Sequence, residues 1–498
     1  MIVLLNSYQL LKPVSEFIVS PLTHVINCSI ESSEFPKAWK QARISPIPKI
    51  PSPQTLSDYR PVSVLPVLSK VYERIIMTQL VKFIDETAKY QPTQHGFRKS
   101  YSTVTCLLKL RDDILRAMDR GEVTISVFAD YSKAFDTIDY ETLIRKLYNL
   151  KISKNFLYWI IDYLSDRSHH VTIDDKSSAN LISGFGVPQG SILGPILFNL
   201  YVSDLSSHLI HSESLQYADD TNIYIHGKPK NLNDIKYKIE EDINSLKTWS
   251  SDSNLVFNDG KTKSMYICTQ QLQRVHGFTN DQLQIRCGNE KIEQVNEMKV
   301  LGVIFDKHLT WKPHINKVIK DCYSTLRTMK LIRRLLPFNV RKQLATSLIL
   351  SKIDYANIVS NDVPLYLTNR LQRVQNAAAG FVLNRRATVN DVIKLKWLPV
   401  KERIDYSIAV LTCKALHDVN SPTNIKVTLK EDRRPLRSQV ANVGPKIECF
   451  DHMKTFQASA ALVFNALPKN IRENLSLNSF KNDTKNYLLD RAMAQNFE

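Results

Sequence analysis

An α+β fold over roughly the first 305 residues, then a mainly helical remainder, is what the residue pattern of this 498-residue chain predicts. Three observations carry that expectation. Tyr217-Ala218-Asp219-Asp220 lies between two stretches of alternating apolar and polar residues. Leu215 and Tyr217 lead in, Ile223 and Ile225 lead out, and the pattern reads as a β-hairpin with adjacent acids at its tip. Residues 36–66 hold Pro36, Pro46, Pro48, Pro51, Pro53, Pro61 and Pro66, a density that excludes long helices and favours strands and turns. From Pro313 onward helical spacing dominates and the alternation largely stops.

Taken in order, residues 1 to about 25 read as a helical lead-in. Ser69 to Ile84 reads as a helix, with Val71, Ile75, Met77 and Leu80 at mixed spacing of two to four residues after Ser69 as a possible cap. Thr124 to Ala129 is a β-rich run that ends at Asp130. Helices follow at Thr142–Leu150, Asn155–Leu164 and Ile192–Leu200, the last opened by a turn. Leu232 to Trp249 is amphipathic, with Ile235, Ile239, Ile243 and Leu246 on one stripe. Strands are expected at Val256–Asn258, Ser264–Ile267 and Val300–Phe305, with a boundary near 310.

Net charge is +17 and the isoelectric point about 9.3, which points to a polyanionic partner. The excess is clustered. Between Trp311 and Leu350 there are nine lysines or arginines against one acid, Asp321. A solvated helix face mixes signs, so a one-sign face including Lys320, Arg327, Lys330, Arg333 and Arg334 argues for contact with a phosphate backbone. No stretch nears the roughly 20 apolar residues that cross a bilayer. The start lacks the basic lead and apolar length of a signal peptide. Seven scattered cysteines with no C-x-x-C pair fit an intracellular chain with reduced thiols and argue against a zinc knuckle. His169-His170, without a nearby cysteine, reads as an exposed pair in a loop or strand.

Adjacent carboxylates at a turn repel each other. Mg²⁺, which takes hard oxygen ligands and bridges to phosphates, would resolve the repulsion; an acidic surface turn is the plainer alternative. Asp130, at a strand exit, can project into the same cleft or cap a following helix. Joined to Asp219 and Asp220 it would complete a set for two metals roughly 4 Å apart, the arrangement of in-line phosphoryl transfer. Gly186-Val187-Pro188-Gln189-Gly190-Ser191-Ile192-Leu193-Gly194-Pro195 is a turn whose glycines let backbone approach a ligand. It feeds a helix start, a natural neighbour for anionic or polar groups.

In this order the blocks resemble the reverse transcriptases of non-LTR (LINE-type) retrotransposons, of the jockey and chicken-repeat kind. Phe128 to Asp139 is similar to the first palm motif of that family, Gly186 to Pro195 to the second and Tyr217 to Asp220 to the third. Asn258-Asp-Gly-Lys-Thr262 resembles the lysine-bearing fourth, usually Asn-Pro-Ser-Lys-Thr, and Val300 to Phe305 the primer grip. Ile47 to Ile50, Asp58 to Ser63 and Gln94 to Arg98 resemble the fingers. Leu371 to Ala377, Leu395 to Arg403 and Phe464 to Pro468 resemble the C-terminal region, with Phe464 where Trp is usual and a shortened stretch around 418–435.

The resemblance implies a right-hand polymerase: fingers and palm over 26–305, a basic helical thumb over 306–350, and a helical C-terminal region over 351–498. It implies an RNA-directed DNA polymerase with two Mg²⁺ ions, or Mn²⁺ in their place, at Asp130, Asp219 and Asp220. Lys49 and Arg60 would grip the incoming triphosphate, Gln189 would contact a nucleotide and Lys261 would protonate pyrophosphate. Phe135 would lie under the sugar and exclude a 2′-hydroxyl; a core phenylalanine on a helix is its rival. Leu301 and Gly302 belong to the primer grip. The partners implied are an RNA template, a DNA primer, deoxynucleoside triphosphates and a ribonucleoprotein with its own RNA. The family's N-terminal endonuclease would need roughly two hundred further residues upstream. The chain is therefore expected not to cut its own target. An idle nucleic-acid-binding relic is the alternative function, and an RNA-directed RNA polymerase the rival enzyme.

Overall fold

The computed structural model describes residues 12–87, 91–174, 176–278, 284–429, 447 and 454–495. Residues 1–11 of the expected lead-in helix and 430–435 of the shortened stretch lie outside them. Helix α1 (Ser15–Ser32) runs on past residue 25 and stops where Ser33 turns left-handed at φ 57°, its amide returning to the last turn. The proline-rich segment forms β1 (Gln41–Pro48) and β2 (Tyr59–Val64), antiparallel, with Pro46 opposite Pro61. Helices α2 (Val67–Glu86) and α3 (Thr103–Asp119) follow. Strand β3 (Val123–Ala129) leads by a turn to α4 (Tyr140–Asn149) and α5 (Lys154–Leu164). Strand β4 (Arg167–Ile173) then pairs in parallel with β1, and His169 and His170 on it are half-buried.

After α6 (Gly194–Tyr201) comes the expected hairpin, β5 (Glu213–Tyr217) and β6 (Asp220–Gly227). Helix α7 (Leu232–Asp252) follows, and β7 (Lys263–Ile267) then joins the central sheet beside β3. Its order is Glu293–Gln294, β7, β3, β6, β5, with β3 in the middle. The sheet is covered on both faces, and the pleat divides β3 between them. Val123, Ile125, Val127 and Ala129 pack with Ile223 against the layer of α4 to α7. Phe128 packs with Tyr224, Met265 and Ile267 against α3 and the C-terminal half. Every residue of β3 is therefore buried.

The strand expected over Val300–Phe305 is instead a hairpin, β8 (Glu297–Val300) and β9 (Val303–Asp306). The cause is the turn between them. Leu301 (φ 45°) and Gly302 (φ 88°) both adopt positive φ, the conformation of a two-residue hairpin loop. Beyond it, α8 (Lys312–Leu331) begins the helical half, followed by α9 (Leu365–Leu383), α10 (Val400–His417), α11 (Phe456–Asn465) and α12 (Leu477–Gln495). Among the described residues no helix is long and apolar enough to cross a membrane.

Helix α3 is missing from the expected elements, although Val104, Leu107, Leu108, Ile114, Leu115 and Met118 share one helical face. Arg111 stands in the middle of that face, and with Asp112 and Asp113 it interrupts the apolar run. Arg111 and Asp112 form an ion pair with both side chains fully enclosed. The Arg111 guanidinium donates to the carbonyls of Ile358 (2.9 Å) and Val359 (3.1 Å) and to Asn361 Oδ1 (3.0 Å). The Phe456 amide donates to Asp112 Oδ2 at 2.9 Å. One charge pair thus ties α3 to two separate pieces of the C-terminal half.

Candidate active site

Backbone register brings the three acids together. Ala129 of β3 pairs with Thr221 of β6, so Asp130, one residue on, stands level with Asp220. Tyr217 pairs with Asp220 across the tight turn of Ala218 (φ 58°) and Asp219. Burial at the cleft floor pushes the Asp219 carboxyl up, Asp130 adds repulsion and Arg60 opposes it. Asp220 is pushed up to about 6 by burial, then by Asp219 and Asp130. Both acids are nevertheless open to the cleft, so water screens part of that repulsion. Lys261 Nζ lies 3.9 Å from Asp130 Oδ2 on a side chain 73% exposed.

The backbone of Asp130 is held by the turn that carries Lys261. Its carbonyl accepts from the Asn258 amide at 2.9 Å. Its amide donates to Thr262 Oγ1 at 3.4 Å, and that hydroxyl donates to the Asn258 carbonyl at 2.9 Å. Asp130 is followed by an extended pair, Tyr131–Ser132, and the helix cap downstream is Asp139, which accepts from the Thr142 amide. Capping therefore does not explain Asp130.

The Gly186–Pro195 loop is laced to the turn after Asp130 and to β2. Gly186 (φ 76°) lies so close to Asp136 that a Cβ there would meet its carbonyl oxygen at 2.7 Å. Gln189 donates from Nε2 to Asp136 Oδ1 at 2.8 Å, and its carbonyl accepts from the Ser63 amide at 2.7 Å. The helix start expected to greet a ligand is already occupied. Glu73 of α2, fully buried, accepts from the amides of Ile192 (2.7 Å) and Leu193 (3.2 Å). The chain's own carboxylate satisfies the open N–H groups there.

Phe135 sits on a turn, not a helix. Its half-buried ring stacks on Phe198 at 4.4 Å and meets Phe97 edge-on at 6.3 Å. Lys49 and Arg60 flank the loop-closed end of the β1–β2 pair and are exposed. Arg60 acts electrostatically on Asp219, and Lys49 on Asp136, whose carboxyl is raised by burial. Lys49 also donates to the Ser57 carbonyl at 2.9 Å. Leu301 lines a cavity of about 100 Å³ that Asp130, Asp220 and Lys261 also line. Gly302 packs under Tyr355, whose hydroxyl donates to the Leu301 carbonyl at 2.6 Å. Lys320, Arg327 and Lys330 are exposed on α8, off its buried stripe of Ile315, Cys322, Leu326 and Met329. Arg333 and Arg334 continue past its end, and none of these five lines the acid cavity.

The residue pattern does not anticipate Asp136, Glu73, Asn258 and Thr262 in these contacts. Each lies in or near a recognised block, but its partner is remote in sequence. In donor chemistry the three carboxylates fit Mg²⁺, a hard cation that selects oxygen. Among the described residues no three acidic, histidine or cysteine groups are already drawn together as a cation cage. Carboxylate rotation would have to close the set.

Comparison with known proteins places these elements. A family model described as "Reverse transcriptase (RNA-dependent DNA polymerase)" matches residues 47–305. The chain is 30% identical over 318 residues to the "Probable RNA-directed DNA polymerase from transposon BS" of Drosophila melanogaster, covering 62% of this chain and 34% of that protein. It is 29% identical over 305 residues to the "RNA-directed DNA polymerase from mobile element jockey" of the same organism, covering 60% and 32%. The chain thus spans about a third of the length of these relatives. A Candida Tropicalis telomerase in complex with a telomeric RNA fragment matches at 13% identity and a TM-score of 0.38, covering 78% of this chain and 63% of that one, too distant to argue from. The relatives bear out the resemblance to non-LTR retrotransposon polymerases read from the motifs. All four blocks that resemble palm motifs, and residues 300–305, fall inside the matched span, which exceeds half of the chain, and on that ground the chain belongs to the reverse transcriptase (RNA-dependent DNA polymerase) family.

Proposed function

We propose that this chain is the RNA-directed DNA polymerase of a non-LTR retrotransposon, adding deoxynucleotides to a primer 3′-hydroxyl on an RNA template with release of pyrophosphate. The observation that carries the reading is the convergence of Asp130, Asp219 and Asp220, with Arg60 facing them from the β1–β2 pair. Residues 26–305 are proposed as fingers and palm, 306–350 as thumb and 351–498 as a C-terminal region docked behind the palm.

Asp130, Asp219 and Asp220 would hold divalent cations, Mg²⁺ by donor chemistry. When bound, such ions stabilise charge on the attacking and leaving oxygens of an in-line displacement. Lys49 and Arg60 offset triphosphate charge and orient it. Lys261, with its ammonium 3.9 Å from Asp130 on an exposed side chain, is placed to give a proton to departing pyrophosphate. Gln189, its orientation fixed by Asp136, presents its remaining polar atoms to a base. Leu301 and Gly302 support the primer end, and Lys320, Arg327, Lys330, Arg333 and Arg334 grip the duplex backbone through counterion release.

The test is extension of a DNA primer on an RNA template with Mg²⁺, beside an Asp219→Ala, Asp220→Ala double variant. Product from the wild-type chain alone is expected. Equal background from both proteins would leave the idle nucleic-acid-binding relic as the better reading. Ribonucleotide incorporation at the deoxynucleotide rate would favour an RNA polymerase. Phe135→Ala is expected to raise ribonucleotide use by about tenfold or more, since one lost steric clash in a packed site amounts to ~1–3 kcal/mol. Unchanged sugar discrimination in that variant would remove Phe135 from the sugar site.

A further inference from the structure

We infer that Gln94 is a positioning residue for the acid turn: its side-chain amide holds Ala218 and thereby aims the carboxylates of Asp219 and Asp220. The inference rests on the function proposed for those acids and adds a residue to it.

Gln94 lies in the block that resembles the fingers, yet the fold sets it against the palm hairpin. The segment around it runs as an extra edge beside β5. The His95 amide donates to the Gln216 carbonyl at 2.8 Å, and the Gln216 amide to the Thr93 carbonyl at 2.9 Å. Gln94 itself bridges in parallel to Gln216. Two residues further along, this ladder runs out, because Ala218 is left-handed at φ 58° and its peptide groups turn away from the strands. A non-glycine residue holds such a conformation only where its surroundings impose it.

The Gln94 side chain supplies that surrounding. Its Oε1 accepts from the Ala218 amide at 3.0 Å and from the Gly96 amide at 2.7 Å. Its Nε2 donates to the Ala218 carbonyl at 3.3 Å. Two backbone N–H groups on one end and a carbonyl on the other leave a single orientation for the amide. Both polar groups of Ala218 are thus met by one side chain. Gly96 brings the segment close enough, since a Cβ there would stand 2.4 Å from the Ala218 nitrogen. Asn199 anchors Gly96 from behind, donating to its carbonyl at 2.7 Å.

Gln94 is 2% exposed, so it cannot touch a substrate. Its action passes through Ala218 to the next residue, Asp219, and across the turn to Asp220. Loss of the amide frees a turn that already resists its own geometry, and the carboxylates at its tip lose their aim. Misplacement of reacting groups by a fraction of an ångström to an ångström is enough to slow an aligned reaction severely.

The experiment uses the full chain as Gln94→Met, of similar length without polar atoms, and as Gln94→Glu, which keeps the acceptor and loses the donor. Hydrogen exchange of a peptide spanning residues 215–222 is read without metal or substrate, beside primer-extension kinetics. For Gln94→Met, exchange of the turn amides is expected to quicken by about tenfold. kcat is expected to fall by about tenfold or more, with the KM for deoxynucleotide within about twofold and a higher Mg²⁺ concentration at half-maximal rate. Gln94→Glu should show a smaller gain in exchange with a clear loss of kcat. Should Gln94→Met fail to fold, Gln94→Glu decides on the same readouts. Unchanged exchange, or faster exchange with wild-type kcat, overturns the inference while the polymerase reading stands. A wild-type chain that extends no primer overturns both.

Discussion

Asp220→Asn is expected to reduce nucleotide incorporation by roughly 10³-fold or more while leaving the folded chain at least as stable as before. The loss follows from the place of this carboxylate, level with Asp130 and one residue from Asp219. Removing one preorganised charge from a phosphoryl-transfer site costs about 10² to 10³ in rate, and a group that also holds a cation costs more. The gain in stability follows from its electrostatics. Burial and its two acidic neighbours hold the Asp220 carboxyl at about 6, above its ordinary value of 3.8. A raised folded-state value means that the ionised form is disfavoured in the folded chain. The penalty is absent below about pH 4, grows between about 4 and 6, and is full above 6. Because the side chain is open to the cleft, screening limits the effect to about 1 kcal/mol. Thermal unfolding in chelator should therefore show a wild-type chain that gains stability relative to the variant as pH falls from 7 to 4. A parallel pH dependence for both proteins would contradict this account of the site.

Arg111→Met is expected to cost about 3–5 kcal/mol of stability, because it breaks a buried ion pair by removing one partner. The variant keeps the volume of α3 but strands the fully enclosed Asp112 carboxylate and removes the donor to Ile358, Val359 and Asn361. Burial already holds Asp112 above the usual carboxylate range despite Arg111 and the Phe456 amide, so the main offset to its charge goes with Arg111. Urea unfolding should show a markedly lower midpoint. Hydrogen exchange should locate the loosening at 356–361 and 454–465, where α3 grips the C-terminal half. Replacing both partners together, as Arg111→Met with Asp112→Leu, should recover much of the loss because no lone charge is left behind. An Arg111→Met chain that unfolds at the wild-type midpoint would show that the pair is no joint.

The legible features were those encoded over a few residues. Alternation through Leu215, Tyr217, Ile223 and Ile225 specified a hairpin, and β5 and β6 are that hairpin. Thr124 to Ala129 read as a strand; the register of β3 against β6, which the folded chain supplies, then puts Asp130 opposite Asp220. Helix α7 showed its stripe because it is half-buried, with polar residues left on its outer side. Helix α3 carries a stripe too, in Val104, Leu107, Leu108, Ile114, Leu115 and Met118, but the charged Arg111 at its centre disguises it, because a charge is ordinarily an outer residue. The second strand of the β8–β9 hairpin and its turn read as one continuous strand, because a left-handed Leu301 has no residue-type signal and Gly302 alone could equally sit in a bulge.

The chain's local pattern singles out the three acids and their order as an expectation, and the fold brings their backbone positions level. The pattern could not say what holds them. Gln94 meets Ala218 across more than a hundred residues of chain, Glu73 takes the amides at 192 and 193, and Arg111 reaches Ile358 and Val359. Such partnerships are made by packing, in which remote polar groups are forced together and must satisfy one another in the absence of water. Periodicity and spacing carry no record of which remote group will arrive, and so the supporting contacts appeared only once the chain was folded.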